Sequence, residues 1–450
     1  MKTEGRLSSS EVIAYGLPAS TMAIVMVSVA MYLPNYYTDE LGVTAGLLSW
    51  VFLAGRVSDA ITDPLMGHLS DRTRTRWGRR RPYMLLAALP LWLVFFLIWS
   101  PGASPFGVGA FGHLLVCYLL LYGFMTVLSI PYVALGMELT SDYDERTRLF
   151  GVRQVLAVVG TAAGMLAPFA FAEALGGKSS GYPVMALSLG GLGVVLILVA
   201  FARVREATPV DSAAPLSFLT GLRVTAANRP FRVLLLVYLA SHVGGSFIAP
   251  LSLFIAKYVI KVEWAMQPVM LAYLAGSMLS IPIWLRLSKA YGKNRTWTIG
   301  MMVGVVAYAT SYTYHEGTWV LWVILGAVVG AAGGCTMTLG PAIAADAIDS
   351  DELETGQRRE GVFMGVWLFV DKAAIGLAVF IGMQGLEAIG YVPNQDQSES
   401  VIDGMKFLYC ILPAMLNLVA LLVFQRFPIT REVHEEIQAK LADRRARSTG

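Results

Sequence analysis

The chain has 450 residues, of which 56% are hydrophobic and 14% charged, with a formal net charge of +3 and a mean hydropathy of +0.60. Soluble chains of this length carry about a quarter charged residues, and here the charges are bunched between long apolar runs. That distribution excludes an ordinary water-soluble globule, and three scattered cysteines, Cys117, Cys335 and Cys410, give neither a disulfide framework nor a metal-ligand spacing.

A helix that crosses a bilayer needs roughly 20 predominantly apolar residues. In chain order the candidate spans are 12–38, 45–70, 82–100, 106–136, 152–175, 182–203, 231–256, 265–287, 295–314, 318–347, 362–389 and 403–426. The first is too long for the apolar core of a cleaved leader, and no small-residue cleavage site follows it. Lys and Arg favour the cytoplasmic side of a membrane. With residue 1 inside, Lys178, Lys257, Lys261 and Lys406 fall outside, Arg56 and Lys372 fall within helices, and the remaining 28 of the 34 basic residues fall on the inner side. The expectation is a multi-pass inner-membrane protein with cytoplasmic N- and C-termini. On that reading the cluster Arg72, Arg74, Arg76, Arg79, Arg80 and Arg81 marks an inner loop, and no nucleic-acid partner is expected.

Between the sixth and seventh spans lies a small, proline-bearing run from Ala207 to Pro215, then an amphipathic stretch from Leu216 to Ala227. The expected organisation is a six-helix half over 1–203, a cytoplasmic linker over 204–230, a second six-helix half over 231–430 and a cytoplasmic tail over 431–450. The halves echo one another. Gly67-His68-Leu69-Ser70-Asp71-Arg72 followed by Trp77-Gly78-Arg79 has its counterpart in Leu285-Arg286-Leu287-Ser288-Lys289 followed by Tyr291-Gly292-Lys293. Ser141-Asp142-Tyr143-Asp144-Glu145 before span five likewise matches Ser350-Asp351-Glu352 before span eleven. Internal repeats with a site between them are the usual plan of secondary transporters. Gly326, Gly330 and Gly334, and again Gly160 and Gly164, recur every fourth position, which lets helix backbones approach closely.

A charge in the middle of a bilayer costs about 2.5–3.5 kcal/mol or more, so such residues usually face a cavity and carry function. Span two holds Gly55-Arg56-Val57-Ser58-Asp59-Ala60-Ile61-Thr62-Asp63-Pro64. Asp59 and Asp63, four apart, stack on one helical face. Two carboxylates so placed can offer hard oxygens to a small cation or share a proton; a structural salt bridge with Arg56 is the other reading. Pro64 releases the Ala60 carbonyl as a further oxygen. Lys372, near the middle of span eleven, suits either neutralisation of the Asp pair or capture of an anionic solute. Asp371 faces about 100° away from it on a helix. Arg153 opens span five, as a site residue or a headgroup anchor. Charged clusters at the inner mouth, Asp142, Asp144, Glu145, Arg146 and Arg148, and Asp346, Asp349, Asp351, Glu352, Arg358 and Arg359, read either as a salt-bridge gate or as solvated loops. Gly177-Lys178-Ser179-Ser180-Gly181 fits G-x-S-x-G, but a short external loop lacks the strand–turn–helix elbow of a hydrolase, and no enzyme is expected.

The run Asp59-Ala60-Ile61-Thr62-Asp63-Pro64-Leu65-Met66-Gly67, with Asp71-Arg72-Thr73-Arg74-Thr75-Arg76-Trp77-Gly78-Arg79, resembles the signature of glycoside–pentoside–hexuronide:cation symporters of the major facilitator superfamily, the family of the melibiose carrier. Tyr36-Tyr37-Thr38-Asp39, Ile130-Pro131-Tyr132, Asp144-Glu145-Arg146-Thr147-Arg148, Thr355-Gly356-Gln357-Arg358-Arg359, Gly390-Tyr391-Val392-Pro393-Asn394 and Gly404-Met405-Lys406-Phe407 extend the resemblance over nearly the whole chain. It implies an all-α membrane protein of twelve transmembrane helices in two six-helix halves. It also implies a cation site at Asp59 and Asp63 (Na+ if sodium-coupled) with Thr126, and solute roles for Lys372 and Arg153. Where sugar-carrying relatives place an aspartate, an aspartate and a tryptophan, this chain has Ala23, Ser129 and Val133. Losing carboxylates while keeping Arg153 and Lys372 favours a solute bearing an anionic group.

The expected function is therefore a cation-coupled symporter of a glycoside-like, anionic organic solute, working by alternating access as a monomer, with Na+ or H+ as coupling ion and no other cofactor. The vertebrate sodium-dependent lysophosphatidylcholine symporter belongs to the same branch, so an amphiphile such as a lysophospholipid is the alternative solute.

Overall fold

The computed structural model describes residues 7–103, 109–140, 142–206, 218–356 and 359–449, and among them there is no strand. The chain forms two compact units, Met1–Ala213 and Ala214–Gly450.

Among the described residues the first unit holds six long helices: α1 (Ser9–Asn35), α2 (Ala45–Arg72), α3 (Arg81–Ile98), α4 (Ala110–Glu138), α5 (Tyr143–Ala174) and α6 (Lys178–Arg203). Their starts are written in the sequence. Ser8 and Glu11 form a reciprocal capping box, Thr44 Oγ1 accepts the Leu47 N–H, and Asp142 Oδ1 accepts the Glu145 N–H at 2.8 Å. The Asp142 cap starts α5 nine residues before the expected 152, because a polar first turn is stable once capped even where hydropathy is low. The Gly177–Gly181 run, expected as a loop, is instead the start of α6.

Side chains on α3 show how an apolar helix divides its surface. Ala87, Leu91, Phe95 and Ile98 are buried inside the unit, while Leu86, Leu89 and Leu93 stand exposed on the opposite face. Apolar surface left outside a core in this way suits lipid rather than water. α1 and α5 meet at the predicted glycines: a Cβ on Gly160 would lie 2.3 Å from the Ser20 carbonyl oxygen, and one on Gly164 2.9 Å from that of Ile24.

The second unit opens on the short amphipathic helix α7 (Phe218–Ala227) and continues with six spans, three of them broken. Span seven is α8 (Arg229–Ser246), α9 (Ile248–Phe254) and a π-helical stretch, Ile255–Ile260; span eight is α10 (Met266–Leu279) and α11 (Ile281–Tyr291). α12 (Lys293–Thr310), α13 (Trp319–Thr355) and α14 (Glu360–Ala388) are continuous, and span twelve is α15 (Glu399–Lys406), a π-helical stretch at Phe407–Ile411 and α16 (Leu412–Phe424). Pro282 accounts for the break in span eight, since its ring crowds the preceding turn and it has no N–H to donate. Span one also ends in a π-helical stretch, Tyr36–Glu40, so the first span of each unit has the same unusual ending. At Gly330 a Cβ would come 2.0 Å from the Tyr273 carbonyl oxygen, which sets α13 directly against α10.

Among the described residues all twelve expected spans fall on helices, and residues 106–108 of the fourth lie outside them. Ten are long and apolar enough to cross a membrane on their own. The other two are α2, with Arg56, Asp59 and Asp63, and α12, which opens on Lys293-Asn294-Arg295. The C-terminal segment, read from sequence only as a tail, is helix α17 (Arg431–Thr449), whose Ile437 and Leu441 join the core formed by Ile343, Ala344 and Ala347 of α13.

Candidate cation and solute site

Asp59 and Asp63 lie one turn apart on α2, and Asp59 is only 4% exposed. α4 supplies the third member: Thr126, 2% exposed, donates its hydroxyl to Asp63 Oδ1 at 2.9 Å. Thr62 Oγ1 donates to the Ser58 carbonyl oxygen and reaches Thr126 Oγ1 at 3.5 Å. The carboxylates and hydroxyls thus make a hard-oxygen cluster of the kind that suits a small, weakly polarisable cation. Arg56 borders it, with Nη1 at 3.5 Å from Asp59 Oδ2 and the guanidinium 4.9 Å over the Tyr122 ring. Both sequence readings of the Asp pair therefore have a physical counterpart. The Tyr122 ring packs on that of Tyr118 at 4.7 Å, and Tyr118 needs Gly55, where a Cβ would lie 2.4 Å from Tyr118 Cε1.

Because α5 begins at Tyr143, Arg153 is its eleventh residue rather than the opening of the span. Its guanidinium lies 5.5 Å over the Tyr132 ring, and its Nε is buried without a hydrogen-bond partner. Tyr132 stacks on Tyr15 at 4.8 Å and donates its hydroxyl to the Tyr15 carbonyl oxygen at 2.7 Å. Thr126, Ser129 and Val133 follow one face of α4 at helical spacing, and Ser129, Val133 and Ala23 on α1 are half-buried. Lys372, half-buried, is the thirteenth of the 29 residues of α14.

The residues offered as a gate have local roles. Asp142 caps α5, and Glu145 pairs with Arg148 at 3.2 Å. Arg359 binds Asp351 through Nε at 3.0 Å and Nη2 at 2.7 Å. Arg358 and the Asp144 side chain lie outside the described residues. Asp346, Asp349 and His434 converge closely enough to share a metal ion, but the Lys293 ammonium already sits 2.6 and 2.8 Å from the two oxygens of Asp346.

Part of the α2 motif builds the fold. Arg80, 6% exposed, holds Asp71 at 2.5 Å and Glu138 at 3.0 Å, tying the end of α2 to the end of α4. Glu206, beyond α6, accepts the backbone N–H groups of Arg79, Arg80 and Arg81 at 2.5–2.8 Å and so caps α3.

The comparisons with known proteins bear on this arrangement. A family model described as MFS/sugar transport protein matches residues 14–431. The chain belongs to the glycoside–pentoside–hexuronide:cation symporter family of the major facilitator superfamily. It is 28% identical to a putative glycoside/cation symporter of Escherichia coli over 98% of this chain and 96% of that one. It is 27% identical to a glucuronide carrier protein homolog of the same organism, covering 98% and 97%. The solved structure of a bacterial homolog of the lysosomal transporter Spinster, 11% identical, shares the fold with a TM-score of 0.69, covering 94% of this chain and 100% of that one. The transporter is thus a multi-pass membrane protein and not an enzyme.

The sequence showed Asp371 only as turned away from Lys372, and its partners were missed. Asp371 Oδ1 accepts the Tyr238 hydroxyl of α8 at 2.5 Å and has His242 Nε2 at 3.1 Å. Tyr238 and His242 are four apart inside an apolar span, and that spacing was the available signal; the partner helix was not.

Proposed function

We propose that the chain is a cation-coupled symporter that carries a glycoside-like solute with an anionic group across the inner membrane by alternating access, as a monomer with both termini cytoplasmic. The observation that carries the coupling is the bond from Thr126 on α4 to Asp63 on α2, beside buried Asp59. A cation bound there links two helices, so binding and helix position depend on each other, and cation and solute tighten one another by the same factor. Na+ and H+ both fit a carboxylate pair. The anionic character of the solute is supported by the buried, unpartnered Nε of Arg153, by Ala23, Ser129 and Val133 standing where sugar-carrying relatives have polar or aromatic groups, and by a glucuronide carrier homolog among the relatives. The names of the relatives reported above favour sugar-like solutes over the amphiphile alternative.

The test uses purified protein in proteoliposomes, with p-nitrophenyl-β-D-glucuronide against p-nitrophenyl-β-D-glucoside, under a Na+ gradient, a H+ gradient or neither. We expect one gradient to drive accumulation of the glucuronide in preference to the glucoside, and Asp59→Asn and Asp63→Asn to abolish it. Undiminished gradient-driven accumulation in either variant overturns the coupling assignment; preference for the neutral glucoside overturns the anionic solute.

A further inference from the structure

We infer that the second unit carries a proton-binding site of its own, formed by Asp371 on α14 with His242 and Tyr238 on α8. A carboxylate inside a membrane span is costly unless it is paired or serves a function, and Asp371 lies mid-helix with two partners from one neighbouring helix. Tyr238 donates to Oδ1 at 2.5 Å. His242 Nε2 comes within 3.1 Å of the same oxygen but off the line of a hydrogen bond, so this buried nitrogen has no aligned partner. The negative carboxylate at that separation favours a hydrogen on Nε2 over a bare lone pair. With His242 neutral and its hydrogen on Nε2, the pair carries one negative charge; a second proton, on Nδ1, makes an imidazolium–carboxylate pair of zero net charge. Only an N–H bond forms. Histidine is the side chain whose ordinary titration falls between about pH 5 and 8.

The surroundings leave this pair as the local titrating element. Tyr238 stacks on His242 with ring centroids 5.1 Å apart, and Trp367, one turn before Asp371, closes on Tyr238 at 4.0 Å. α16, packed against α8, presents Asn417, which receives the Ser241 hydroxyl at 3.0 Å, and has no ionisable residue between 412 and 424. α12 brings Tyr308 toward Gly245. α9 has no ionisable residue, Arg229 and Arg232 precede His242 by ten residues or more on α8, and Arg223 on α7 is exposed. On α13, Asp346, Asp349 and Asp351 are engaged by Lys293, Gln438 and Arg359. Glu352 and Glu354 follow at the C-terminal end of α13, Glu360 and Glu387 lie eleven and sixteen residues from Asp371 on α14, and the adjacent charge is Lys372, the next residue along α14. Its Cα is about 3.8 Å from that of Asp371. Proton uptake removes a negative charge beside that ammonium and raises the positive potential an anionic solute would meet. This consequence rests on the solute role that the family resemblance implies for Lys372; the proton site does not.

The test is histidine titration by NMR on full-length protein labelled at its five histidines, in nanodiscs, with the His242 resonance assigned by its loss in His242→Gln. The His242 signal is expected to titrate between about pH 5 and 8. Asp371→Asn should lower its midpoint by about one pH unit or more, at least tenfold in proton affinity. Tyr238→Phe, which frees the shared oxygen, should raise it, and this variant serves if Asp371→Asn does not fold. A His242 signal static from about pH 5 to 8, or a midpoint unmoved by both substitutions, overturns the proposal. Failure of the coupling reading shows separately, as accumulation retained in Asp59→Asn with the His242 titration unchanged.

Discussion

Thr126 is the residue on which the proposed cation site turns, because its hydroxyl bonds a carboxylate of the α2 pair from α4. A hydrogen bond to a charged acceptor contributes about 1.5–3 kcal/mol. Thr126→Val should therefore weaken apparent cation affinity at least roughly tenfold, read as the cation concentration needed for half-maximal thermal stabilisation, whereas Thr126→Ser should keep it near the parent value. Asp59 and Asp63 could be found from sequence because carboxylates four apart in an apolar run are rare and costly. Thr126 could not be found that way, since a threonine in a membrane helix costs little and says nothing of its neighbour; it came only through the family resemblance. Asp371 shows the converse case. Its cost was visible, and its partners His242 and Tyr238 required knowing that α8 packs against α14.

Elements in this protein are held by contacts at two kinds of place, glycine crossings and capped ends. Gly160 faces the Ser20 backbone with no room for a methyl, while a Cβ on Gly151 of the same helix would meet nothing within 4 Å. Gly160→Ala should lower stability by roughly 1–3 kcal/mol through overpacking, and Gly151→Ala should be neutral or slightly stabilising; melting temperatures in detergent check both. Glu206→Ala should cost about 1 kcal/mol by uncapping α3, read the same way. The spacing of the glycines announced close packing, and the caps at Ser8, Thr44 and Asp142 could be read locally. Glu206 could not, because the helix it caps begins 125 residues earlier in the chain.

For the whole molecule, the tail and the topology give the sharpest expectations. Ile437 and Leu441 bury their side chains in the core of the second unit, so removal of residues 431–450 should destabilise that unit by roughly 3 kcal/mol. Thermal unfolding of the truncated protein checks this. The proposed cytoplasmic placement of both termini predicts that a cysteine introduced at Lys178 reacts with an impermeant maleimide from outside intact cells and one at Arg76 does not. Background should be low, since Cys117, Cys335 and Cys410 are buried.

By itself the sequence determined that this is a membrane protein of about twelve spans, which residues inside those spans are costly, and which family the chain resembles. These are additive or local properties: transfer energies sum along a segment, and motif residues are neighbours. The tertiary structure decided what no local rule reaches. It set Thr126 against Asp63, Arg153 over Tyr132, Glu206 on the start of α3, the tail against α13, and His242 beside Asp371. Each of these depends on which helix faces which, and that choice is made by the packing of whole surfaces rather than by any one residue in them.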